Sequence, residues 1–76
     1  MASAEALIAL SIRLRKLSYQ QTRRGQRAAA ADVRLASLYI RAHAALIVAD
    51  EAKMERDPQR KRALEQESAE LWCRHD

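Results

Sequence analysis

The sequence predicts a small all-α protein: an antiparallel helical hairpin plus a third helix, forming a small three-helix bundle that dimerises. Three observations predict it. Ala, Leu, Arg, Glu and Gln dominate, with one Gly, one Pro, no Phe and no Asn, a composition that favours helix throughout. Strong break signals fall at only two places, Gly25 and Asp57-Pro58, which divide the 76 residues into three segments of a single domain, 1–76. Residues 33–49 carry apolar side chains on two separate sides of a helix, more than one intramolecular neighbour needs to cover.

The first helix is expected over about 4–24. Ser3 is a suitable N-cap, and Glu5 places a carboxylate where the helix dipole favours it. At the other end Arg23 and Arg24 put positive charge on the last turn, and Gly25 can take the left-handed conformation that closes a helix. Leu7, Leu10, Leu14 and Leu17 keep a 3,4,3 spacing and are expected to form the seam against another helix. Ile8, Ile12 and Tyr19 lie roughly 120° away on the same cylinder.

The second helix is expected over about 27–56, with a start that no good N-cap residue fixes. At about 100° per residue, Leu35, Leu38, Tyr39, Ala42, Leu46 and Ala49 share one broad face. Val33, Ala36, Ile40, Ala44 and Ile47 share another, roughly opposite. Asp57 as N-cap and Pro58 at the first helical position open the third helix, expected over 58–74. Its only bulky apolar residues are Leu64, Leu71 and Trp72, whereas thirteen of the fifteen Leu, Ile and Val residues lie between positions 7 and 48. The first two helices are therefore expected to carry the core, with the third attached loosely or meeting a partner.

Size sharpens the need for a partner. Sixteen of the residues counted as hydrophobic are alanine, which adds little core volume. A chain this short needs staples or self-association, and a single cysteine, Cys73, offers no internal disulfide. No Cys/His cluster has zinc-ligand spacing, and Cys73 with His75 makes two ligands at most. The residues expected to mediate homodimerisation are Leu10, Leu14, Leu17, Leu38, Ile40 and Ile47. His43 is expected to sit partly buried, bonded to a neighbouring chain.

The charge is uneven: residues 1–31 hold six basic residues and one acid, within a net charge of +4 for the chain. Arg13, Lys16, Arg23 and Arg24 fall on one side of the first helix, with Gln20, and Arg27 follows the turn. Such a strip docks an acidic protein surface or contacts phosphates. Trp72 on an otherwise polar helix has the character of a binding hot spot. Arg13, Lys16, Arg23, Arg24 and Trp72 are therefore the residues expected to meet an outside partner. No catalytic, metal or cofactor-binding residues are identified. Glu65, Glu67 and Glu70 with Arg60, Lys61 and Arg62 have the spacing of surface pairs on a helix, not of acid–base machinery.

The expected function is that of a non-enzymatic interaction module, a bacterial or phage regulator or inhibitor that binds and modulates a larger protein through a helix face. The alternative is a basic helical nucleic-acid-binding protein using Arg13, Lys16, Arg23, Arg24 and Arg27. Arg34, Arg41 and His43 interrupt the longest apolar run, so no membrane span is expected. Without a basic lead and apolar core at the N-terminus, and with a lone thiol, a cytoplasmic location is expected.

Overall fold

A computed structural model describes residues 3–73. Three helices follow in order and, among the described residues, no strand: α1, Ala4–Arg23; α2, Arg27–Met54; α3, Pro58–Cys73. At about 1.5 Å per residue they are about 30, 42 and 24 Å long.

Local capping chemistry sets the boundaries. The Ser3 side chain accepts from the Ala6 N–H at 3.1 Å and starts α1. At its end the Gly25 N–H reaches the Thr22 carbonyl at 3.0 Å and the Gln26 N–H reaches Gln21 at 2.9 Å, the paired bonds of a Schellman turn. Gly25 sits at φ +80, and a Cβ built there would meet nothing within 4 Å. Any cost of a side chain is therefore backbone strain alone. Gly25→Ala is expected to lose about 1 kcal/mol, a fall of about 4–8 °C in Tm, with Gly25→Asn losing less. Thermal unfolding followed by circular dichroism checks both.

Helix α2 begins after Gln26 with no side-chain cap, matching the lack of a capping residue in the sequence. It ends at Met54, two residues earlier than expected, because Glu55 turns to extended backbone. There its carboxylate accepts the Arg56 and Asp57 N–H groups at 3.1 and 3.2 Å. Asp57 then caps α3, accepting from the Gln59 N–H at 3.1 Å.

Both α1 and α3 pack along α2, and they do not approach each other at backbone distance among the described residues. The seam between α1 and α2 is not leucine, as the 3,4,3 spacing suggested. Its buried residues are Ser11 and Ser18 on α1 and Ala30, Ser37 and Ala44 on α2, each set spaced by seven. Helices approach most closely where side chains are smallest. The serines cost little to bury because each hydroxyl bonds back into its own helix: Ser11 to Ile8 at 2.7 Å, Ser18 to Arg15 at 2.7 Å and Ser37 to Arg34 at 2.6 Å. Leu7, Leu10 and Leu14 are half-buried beside this seam, and Leu17 is exposed.

The core also sits elsewhere than expected. Ala44, Ala45, Val48 and Leu71 form its buried cluster, with Ala4, Leu7, Ile8 and Leu64 packed against it. The largest of the four buried side chains comes from α3, which is therefore a full member of the bundle. The Ser68 hydroxyl adds a bond across the helices to the Ala45 carbonyl at 2.9 Å. Overall extents are 49 × 25 × 13 Å and the radius of gyration is 14.5 Å. A compact domain of this length has a radius of about 11 Å.

Candidate functional site

Small residues inside leave large ones outside. On α2 the side opposite the α1 seam carries Leu35, Tyr39 and Leu46, with Leu38 along one edge. Tyr39 is 70% exposed and Leu46 52%. This is the first of the two apolar faces read from the sequence, and it is uncovered. Its spacing of three, four and seven residues draws a continuous stripe down the helix, with half-buried Ala42 in the middle.

Two grooves border the stripe and share Leu35 and Leu38. One, of about 380 Å³, runs between Tyr19 and Thr22 of α1 and Arg27, Ala31 and Arg34 of α2. The other, of about 260 Å³, is walled by Tyr39, Arg41 and Ala42 of α2 and by Leu71 and Trp72 of α3. Together they make a trough whose ends are marked by Tyr19 and Trp72. Tyr19 is held in place by Arg15, whose guanidinium lies 5.8 Å from the ring centroid and donates to the phenol oxygen at 3.3 Å. Trp72 stands 54% exposed beside buried Leu71.

The structure divides the residues expected to self-associate. Leu10, Leu14 and Leu17 flank the seam on the same side as Ile40 and Ile47, as the helical angles of two antiparallel helices require. All but Leu17 are half-buried. Leu38 lies on the other side, with the stripe. Pattern alone does not single out Tyr39, Leu35 and Leu46, which the structure leaves exposed, because it presents the two faces of α2 as equivalent. The signal that separates the faces is the heptad of small residues at Ala30, Ser37 and Ala44, which marks where α1 must lie.

The residues expected to meet an outside partner are also divided. Arg13, Lys16, Gln20 and Arg23 lie on the face of α1 turned away from α2, and all are exposed, as is Arg24 at the helix end. Trp72 is not part of that strip, and Arg27 lines the groove beside Tyr19. His43 is exposed at the edge of the stripe, one turn from Tyr39, rather than partly buried. Cys73 is the last residue of α3, and His75 lies outside the described residues, so the Cys73/His75 pair is not placed. Among the described residues no group of His, Cys, Asp or Glu is arranged to hold a metal ion. No described helix is long and apolar enough to cross a membrane. Comparison with protein families, with curated proteins and with solved structures returns no match.

Proposed function

We propose that the chain is a non-enzymatic protein–protein interaction module, a small regulator that binds and modulates a larger protein through a helix face. One observation makes the chain an interaction module, its outward-facing Leu35, Tyr39, Leu46 and Trp72 over an interior of small side chains, and the exposed basic strip of α1 is the face offered to the larger protein. A contiguous exposed apolar surface of this kind marks a protein interface, and aromatic residues are enriched at such sites. The outer face of α1 supplies a second surface of different chemistry, suited to an acidic patch on the larger protein.

In-cell photo-crosslinking tests the reading. A crosslinking amino acid at Gln20, in the middle of the basic strip, is expected to give a discrete adduct with a larger protein. Replacing Arg13, Lys16 and Arg23 by Gln should abolish that adduct. If crosslinkers at Gln20, Tyr39 and Trp72 all capture no larger protein, the reading fails.

The exposure of Arg13, Lys16, Arg23 and Arg24 on one side of α1 also favours a second reading, binding to nucleic acid. Four phosphate contacts would make log K fall with log salt at a slope of about −3 to −4. A duplex-binding titration showing that slope would support the second reading, and no binding at low salt would remove it.

A further inference from the structure

We propose that the apolar stripe of α2 is covered by a second copy of this chain, the two α2 helices packing antiparallel about a twofold axis through Ala42. This rests on reading the stripe as an interaction surface and names its occupant.

Area is the first argument. The chain exposes 6020 Å², whereas a compact monomer of 8.6 kDa exposes about 4700 Å². The excess of about 1300 Å² exceeds the roughly 800 Å² that each partner buries in a stable interface of standard size. A second copy seated on the stripe would bury more than half of that excess.

Shape is the second. A twofold contact requires a patch complementary to itself. Ala42 lies at the middle of the stripe, with Leu38 and Leu46 one turn away on either side and Leu35 and Ala49 two turns away. Antiparallel packing about Ala42 sets Leu38 opposite Leu46 of the partner subunit, and Leu35 opposite Ala49 of the partner subunit. Leucine then meets leucine on either side of the axis and alanine two turns out, and the alanine on the axis lets the helices approach to about 8 Å. The groove bounded by Trp72 opens beside the same residues and is closed by the incoming helix.

Charge is the third, and it selects the direction. Asp32, Asp50 and Lys53 are exposed near the stripe, with Lys53 Nζ 3.9 Å from Asp50. A parallel pair aligns the two helix dipoles in the same sense. The antiparallel pair instead opposes the two helix dipoles favourably, and it sets Asp32 of the partner subunit between Lys53 and Asp50. Both α1 helices then lie on the outside of the dimer, so the basic strips stay open for the larger protein.

Sedimentation equilibrium of the full chain over a micromolar range, combined with disulfide trapping, tests the proposal. Wild type is expected at twice 8.6 kDa. Leu46→Glu, at an exposed position, should keep its helical signal and Tm at low concentration while dimerising about a hundredfold more weakly. In a Cys73→Ser background, Ala42→Cys should oxidise to a covalent dimer, because the two copies of residue 42 face each other on the axis. Ala9→Cys, on the outer face of α1, should not. A single-chain mass throughout the range overturns the proposal, and a dimer that forms no bond through Ala42→Cys overturns the antiparallel seating. The larger-protein reading is judged separately, by the adduct at Gln20.

Discussion

Replacing Ala44 with leucine is expected to unfold the hairpin at temperatures where the wild type is intact. Ala44 has no exposed surface and lies where α1, α2 and Leu71 converge. An isobutyl group there can be accommodated only by separating α1 from α2. Separation would break the seam that Ser11, Ser18, Ala30 and Ser37 make possible. Overpacking typically costs about 1–3 kcal/mol and sometimes more, and here the buried cluster offers no exposed side into which leucine could turn. A single core in so short a chain supplies about 3–5 kcal/mol in all. Urea denaturation should show most of that stability gone. Ala9→Leu, which adds the same group on the exposed side of α1, should leave the midpoint unchanged. Equal midpoints for wild type and Ala44→Leu would show that the small-residue seam does not exist.

Leu71→Ala is expected to release α3 while leaving the hairpin folded. Leu71 is 5% exposed and is the side chain through which α3 enters the core. Losing it costs about 2–5 kcal/mol, including the cavity left behind. What then holds α3 is half-buried Leu64 and the Ser68 bond to Ala45, with a surface otherwise charged and exposed. A detached helix of 16 residues is marginal in water. Helical circular dichroism should therefore fall by about a quarter, the share α3 holds of the helical residues. The emission of Trp72, the next residue, should shift to the red. Unchanged helicity and emission would show that α3 is held by other contacts.

The boundaries were legible in the sequence because capping chemistry is local. Ser3, Gly25 and Asp57-Pro58 each act on backbone groups within a few residues, and all three function as read. The packing was less legible. A reading that weighs side chains by hydrophobicity selects Leu7, Leu10, Leu14 and Leu17 for the seam and passes over Ser11 and Ser18. Close helix contact rewards small volume instead, and a serine whose hydroxyl bonds its own helix is nearly as easy to bury as alanine. The recurrence of small residues at Ala4, Ser11 and Ser18, and again at Ala30, Ser37 and Ala44, carried that information. Leu71 is hard to rank for a related reason: the sequence shows how few apolar residues α3 has, not where one of them inserts.

The same inversion made the exposed apolar surface half legible. Two apolar faces on α2 were evident, but which one stays open depends on where α1 sits, and that is a property of the seam. Once α1 is placed over Ala30, Ser37 and Ala44, the face with Leu35, Tyr39 and Leu46 is left without an intramolecular cover. The basic strip of α1 needed no such step, since helical spacing alone puts Arg13, Lys16 and Arg23 together.

Trp72 reports directly on whether the chain covers its outward-turned apolar side chains with a second copy. It is the only tryptophan, and it stands at the end of the trough beside the stripe. Its emission and its quenching by acrylamide, followed by dilution from high to nanomolar concentration, measure its exposure in the paired and single chain. In the paired chain, at high concentration, the emission is expected to be blue-shifted and protected. On dilution the emission should become red-shifted and quenchable, with the midpoint of that change matching the dissociation seen by mass. Emission and quenching that stay constant across the whole range would contradict cover by a second copy.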